Sequence, residues 1–309
     1  MPETRTATRP QAPATRRADQ PLAVAGWAVH VPGLSLAELP GSPETAACAP
    51  EDAKDVLGRK GLLGKEPATR LALCAVHRAL GLPSGKLAEP LPYAPGTAVV
   101  VASNLGNVET VCTVLDDMRE RGGGAVSVLD APNASSNVIA SSIAIRYGFT
   151  GPNLAVCSGA SAGLDAVRLA RLLLLAGRAE RAVVVGVEPA DPVARALAAL
   201  RPGAPGELVA GAGCVLLGRP GAWPTDTGLT LGPVHHESTE PDALWQPSVG
   251  ELYGARGVVH LAAAAATLAD DGHTGPSALT VGCGDADDAW RSVDLSRAGA
   301  AQRETGAAA

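Results

Sequence analysis

Residues 151–190 read GPNLAVCSGASAGLDAVRLARLLLLAGRAERAVVVGVEPA, and their order of apolar and small residues decides the class of fold. Leu154 to Cys157 is a short apolar run opened by Gly151-Pro152. Ser158 to Gly163 is a turn made of small residues, Leu164 to Ala176 has helical length and stops at Gly177, and Arg181 to Val187 is a buried strand. The order strand, turn, helix, strand is an α/β unit. Small residues let the chain reverse at the helix N-terminus, where free N–H groups and the helix dipole favour a thiolate or an oxyanion. That is the geometry of a nucleophile elbow.

Outward from the elbow the chain continues in the same style. Leu22 to Val31 alternates as an opening strand, a short helix is expected near Glu51 to Leu57, and Pro67 starts a helix whose apolar positions run from Ala68 to Leu80 before Gly81. Thr97 to Ala102 (TAVVVA) is a second buried strand, and His77 on the preceding helix reads as structural. The net charge of −6 with no basic face in the sequence excludes nucleic acid as a partner. The longest apolar stretch, Leu261 to Ala269, is too short to cross a bilayer. Six cysteines are scattered without C-x-x-C or a Cys/His cluster at ligand spacing, so no metal, no cofactor and a cytoplasmic location are expected.

The stretch GPNLAVCSGASAGLDAV resembles the signature of the β-ketoacyl synthases of the thiolase superfamily, in which GPN, a short strand and a small-residue turn carry an acyl-accepting cysteine before SG and a helix. Just upstream, VIASSIAIRYGFTGPN from Val138 is similar to the family pattern AAQIAIRYGLRGPN, and Pro132-Asn133-Ala134 to its PNA segment. Glu188 ends its strand as a family Glu does, and Leu208 to Leu217 matches GEGAGALVL. The resemblance implies a thiolase-like layered αβαβα fold of two pseudo-equivalent halves. The first, 21–222, is a complete βαβαβαββ unit; the second, 223–296, is shortened; 1–20 and 297–309 are disordered tails. In the second half Gly228 to Val234 opens as a strand and Gly257 to Asp271 is a helix. Ser277 to Val281 and Trp290 to Leu295 follow, with Gly282-Cys283-Gly284 as a turn between them.

Aligned without gaps, the family's cysteine position falls on Ala160, so the nucleophile is missing. The family's two histidines stabilise charge during malonyl decarboxylation. His260 matches the second, whereas the HGTxTxxND motif of the first is absent, and His235-His236-Glu237-Ser238-Thr239 follows the opening strand too directly to replace it. Cys283 stands where the family has a gating phenylalanine. These losses together imply a noncatalytic subunit resembling the chain-length factors of bacterial type II polyketide synthases. Such subunits pair with an active ketosynthase through the strand preceding the elbow, shape its acyl tunnel, and meet an acidic acyl carrier protein. Many carry glutamine at the cysteine position, an amide that Ala160 lacks. Carried over by position, the tunnel and interface residues are Asn107, Thr110, Val111, Val114, Asn153, Val156, Cys157 and Ser158.

Two other readings stand beside this one. An acyltransferase or thioesterase would use Cys157 or Ser161 with His260, and requires hydrogen-bond reach between them. Read from the residues alone, Cys157 is a buried strand cysteine, and Ser158 and Ser161 are turn residues and helix N-caps. A homodimeric scaffold would instead show a self-complementary twofold interface.

Overall fold

The computed structural model describes residues 20–34 and 46–298, apart from 88, 129, 204, 205 and 243. The expected tail at 1–20 lies outside them except for Gln20; at the other end the last strand runs to Arg297, and only 299–309 fall outside.

Strand β1 (Leu22–His30) is followed by α1 (Lys54–Leu57), α2 (Pro67–Ala79), β2 (Thr97–Ala102), α3 (Val108–Arg121), α4 (Val138–Tyr147) and β3 (Asn153–Val156). The first half closes with α5 (Ala162–Leu175), β4 (Arg181–Glu188), α6 (Pro192–Ala199) and β5 (Gly211–Gly218). The second half is β6 (Leu229–Glu237), α7 (Arg256–Ala269), β7 (Ala278–Asp285) and β8 (Ala289–Arg297). The strands are hydrogen-bonded in the order β3-β2-β4-β5-β1-β6-β8-β7. β1 and β6 pair only where Leu22–Val24 meets Leu229–Leu231, so this junction joins a five-stranded sheet to a three-stranded one.

The two halves repeat one another. α5, β4 and β5, with β1 beyond β5, correspond to α7, β7 and β8, with β6 beyond β8, and the pairings along both series are antiparallel. Among the described residues the second half has no counterpart of β2, β3 or α2 to α4. α5 and α7 are buried among inward side chains of both sheets, including Val100, Val184 and Val215 on one side and Val281, Val293 and Leu295 on the other. α2 and α4 cover the opposite face of the five-stranded sheet through Leu71, Val76, Ile139 and Ile143.

Burial on both faces explains why β2, β4 and β5 are continuous apolar runs. The three-stranded sheet differs. Its inner residues are apolar, while outward positions carry hydrogen-bonded polar pairs: Thr280 Oγ1 donates to Asp294 Oδ1 (2.7 Å), Ser292 Oγ to Glu237 Oε1 (3.1 Å), and Thr230 meets Ser296 (3.0 Å). No described helix covers this face, and its polar pattern suits contact with water.

Gly282-Cys283-Gly284 is a length of β7 rather than a turn, paired with Ser292, Arg291 and Trp290; the reversal falls at 286–288. The outer edge of β7 is met by Trp245, whose N–H donates to the Thr280 carbonyl (2.8 Å). Among the described residues β3, at the other end of the sheet, pairs only with β2.

Candidate functional site

The two halves meet where the first turns of α5 and α7 cross. A Cβ on Gly163 would lie 2.8 Å from the Gly257 nitrogen, and one on Gly257 would lie 2.9 Å from the Leu164 nitrogen and 2.7 Å from Cys283 Sγ. Only glycine permits this approach. Each helix is preceded by a 3-10 turn, Gly159–Ser161 and Tyr253–Ala255, and each turn opens on a residue of positive φ, Gly159 at 68° and Tyr253 at 42°. Ala160 and Gly254 are therefore equivalent positions.

Each of these positions faces a carboxylate of the opposite half. Ala160 N–H donates to Asp288 Oδ2 at 2.8 Å, and Gly254 lies beside the Glu188 carboxylate. Glu188 is fully buried and accepts from the N–H groups of Asn104 (2.8 Å) and Leu105 (2.9 Å). Burial pushes its carboxyl up to about 8, against the opposing pull of these donors. Asn104 in turn clamps the elbow from both sides: Nδ2 donates to the Gly159 carbonyl (2.9 Å), and Oδ1 accepts the Gly159 N–H (3.1 Å).

Asp288 is set by the β7–β8 reversal, where Asp285 Oδ1 accepts its N–H at 2.8 Å. Asp285 is bound to Arg201 Nη2 (2.9 Å), Arg201 also reaches Glu251 Oε1 (3.3 Å), and Glu251 pairs with Arg256 at the start of α7. The guanidinium of Arg201 stacks on the Tyr253 ring, 3.6 Å from its centroid. The elbow is thus filled by the chain's own ions: its amide is taken by a carboxylate, and no nucleophilic atom projects from Ala160, which is 1% exposed.

The serines beside it are committed. Ser158 Oγ (2.8 Å) and Ser161 Oγ (3.0 Å) both donate to Asp165 Oδ2, whose other oxygen accepts from Arg291 Nε (2.9 Å). Both serines stand at the expected N-cap positions, Ser158 of the 3-10 turn and Ser161 of α5, but neither accepts a helix N–H: an acidic residue one turn along the helix attracts both hydroxyls as donors. Cys157 is corrected, being exposed and not buried, because β3 ends at Val156 and lies at the sheet edge. Its thiol donates to the Ser103 carbonyl (3.0 Å), and burial on one side, with Glu188 nearby, raises its pKa.

His260 lies in α7, 4% exposed, with Nδ1 buried and unpartnered; burial first, then Arg256, lowers its pKa to about 3. Among the described residues no hydrogen bond joins it to Cys157, Ser158 or Ser161. His235 and His236 are exposed on β6 opposite Ser292 and Arg291. His77 is structural: Nε2 meets the Pro83 carbonyl (2.8 Å) and Nδ1 the Tyr147 hydroxyl (3.3 Å).

Of the remaining named positions, Asn107 bonds the Asn133 carbonyl (3.2 Å), and Thr110, Val111 and Val114 are half-buried on α3. Asn153 accepts from Asn137 Nδ2 (2.9 Å), and Val156 is half-buried in β3. Asn104, Arg201, Glu251, Asp285 and Asp288 have no signature in the sequence. The internal repeat is the signal that would have located their shared junction.

Residues 60–201 match the family model of the β-ketoacyl synthase, N-terminal domain. This stretch is just under half of the chain, and over it the chain is similar to the N-terminal part of the ketosynthases. Over 93 residues it is 30% identical to 3-oxoacyl-[acyl-carrier-protein] synthase 2 of Vibrio cholerae; this covers 30% of the chain and 22% of that protein, about a fifth of its length. Among solved structures, the ishigamide ketosynthase/chain length factor superposes with a TM-score of 0.70 at 20% identity, covering 91% of this chain and 100% of the other. The Xenorhabdus doucetiae ketosynthase ApeO in complex with its chain length factor ApeC gives 0.55 at 16% identity, over 90% and 100%. AntDE:AntF, a type II acyl carrier protein in complex with its ketosynthase, gives 0.65 at 11%, over 90% and 99%. Identities this low establish the fold alone. No helix among the described residues is long and apolar enough to span a membrane.

Proposed function

We propose that this chain is a noncatalytic, chain-length-factor-like subunit that pairs with an active ketosynthase and shapes the tunnel for its acyl chain. One observation carries the reading: a methyl group stands at the nucleophile position, and the adjoining main-chain N–H is held by Asp288. Acyl transfer needs a nucleophile and an amide left free for the developing oxyanion. This elbow offers neither.

The pairing surface is the free edge of β3. Val99 N–H donates to the Pro152 carbonyl (2.8 Å) and Ser103 N–H to that of Val156 (3.1 Å), so the even-numbered residues hold β2 and the main-chain groups of Asn153 and Ala155 turn outward. α3, the helix after β2, has no buried residue and exposes Leu115 and Met118 by 46% and 49%. An open strand edge and exposed apolar side chains both favour a partner. Neighbours of the same fold include ketosynthases complexed with chain length factors and with an acyl carrier protein, which supports a ketosynthase as that partner and an acyl carrier protein as the donor.

Co-expression with a type II ketosynthase, followed by native mass determination and intact-protein mass after incubation with acyl and malonyl carrier protein, tests the proposal. A one-to-one complex in which only the ketosynthase gains acyl mass is expected. Acylation of this chain overturns it, and a homodimer that ignores the ketosynthase supports the scaffold reading instead.

A further inference from the structure

Far from the elbow, beyond the outer end of β1, three ligand-bearing side chains meet that lie well apart in sequence. An imidazole nitrogen of His30, the sulfur of Cys48 and the sulfur of Cys74 lie within 4.8 Å of one another. His30 ends β1, Cys48 belongs to the segment before α1, and Cys74 is in α2. His30 and Cys74 are fully buried; Cys48 is half-buried and forms the way in.

From these residues we infer a zinc site, His30–Cys48–Cys74, that clips the segment carrying Cys48 onto β1 and α2. Two sulfurs and an imidazole are the donor set that zinc prefers. Tetrahedral zinc, with bonds of about 2.3 Å to sulfur and about 2.0 Å to nitrogen, sets sulfur and nitrogen roughly 3.6 Å apart. Here Cys48 Sγ is 3.7 Å from His30 Nε2. The other ring nitrogen, Nδ1, is buried with no hydrogen-bond partner.

The charge also balances. Binding displaces one proton from each thiol and forms two zinc–sulfur bonds, so Zn²⁺ and two thiolates make a neutral unit, which is far less costly to bury than a bare ion. The fourth position is left to water entering beside Cys48. Without the ion, the described ties of this segment include the Cys48 carbonyl to His30 Nε2 (3.1 Å) and the Ala46 carbonyl to Arg78 Nη2 (2.8 Å).

The test uses the full chain, reduced, stripped with a chelator and titrated with Co²⁺. One equivalent should bind with a thiolate-to-cobalt charge-transfer band and tetrahedral d–d bands, and Zn²⁺ should displace it. Cys48→Ser should weaken binding at least 100-fold. Because Cys74→Ser or His30→Gln alters a buried position, a second readout uses the unmodified protein: zinc should slow alkylation of Cys48 at least tenfold while leaving Cys112 and Cys157, both exposed, unchanged. Absence of the charge-transfer band, its persistence in Cys48→Ser, or equal alkylation of Cys48 with and without zinc each overturns the site. So does a Cys48–Cys74 disulfide that forms equally well in the presence of zinc.

Discussion

Asp288 Oδ2 accepts the main-chain N–H of Ala160 at 2.8 Å, and this bond joins the β7–β8 reversal to the turn where a ketosynthase would carry its nucleophile. Restoring the missing side chain is therefore insufficient. In Ala160→Cys the carboxylate still holds the amide, and its negative charge opposes ionisation of the new thiol. Intact mass after exposure to an acyl thioester should show no adduct at position 160. In Ala160→Cys/Asp288→Ala an adduct should form, at least tenfold faster than in the single variant.

Pairing through β3 is tested by removing one outward donor. Ala155→Pro deletes an N–H that faces away from β2, so far-UV circular dichroism should be retained while the complex with a ketosynthase, or with a second copy, is lost in native mass spectra. Pairing that survives this change places the interface elsewhere.

The crossing of α5 and α7 is the tightest junction between the halves. Gly257→Ala places a methyl group against Cys283 Sγ and the Leu164 nitrogen, and should cost roughly 2–4 kcal/mol in urea unfolding or prevent folding. Gly123→Ala meets nothing within 4 Å and serves as the control, within about 0.5 kcal/mol of the parent.

Glu188 gives the fold a pH dependence of definite sign. Its folded pKa, about 8, lies above the ordinary 4.5, so the folded protein holds a proton that the unfolded chain releases across this window. The stabilisation is complete below pH 4.5 and is lost as pH rises through 8. Between pH 6.5 and 8 the loss should be about 1–2 kcal/mol. His30 and His260, both depressed, act below pH 6.5, where they destabilise the fold as the pH falls. Urea unfolding at pH 6.5 and 8 in the parent and in Glu188→Gln checks this: the alkaline decline should disappear in the variant.

What was legible in the sequence followed local physics. Thr97–Ala102 and Arg181–Glu188 are apolar without alternation because both faces of their sheet are covered, and Pro67 and Gly81 bracket α2 as helix punctuation should. The elbow was readable because its small residues are contiguous. The groups that occupy the elbow were not, since Asp288 lies 128 residues beyond Ala160 and is an ordinary loop aspartate until β7 and β8 bring it back. Cys157 was misread because an apolar run does not reveal that its strand lies at an edge. The same limit hid the approach of His30, Cys48 and Cys74, whose proximity depends on how β1 and α2 pack.

The two ends of the eight-stranded sheet are unequal, and this governs how large an assembly can grow. Trp245 N–H is bonded to Thr280 on β7, so that edge is already engaged, whereas the outward groups of Asn153 and Ala155 on β3 remain available. A molecule with two open edges can add neighbours indefinitely and form fibres; one with a single open edge stops after one addition. The short bond between Trp245 and Thr280 thus favours a closed pair over a polymer.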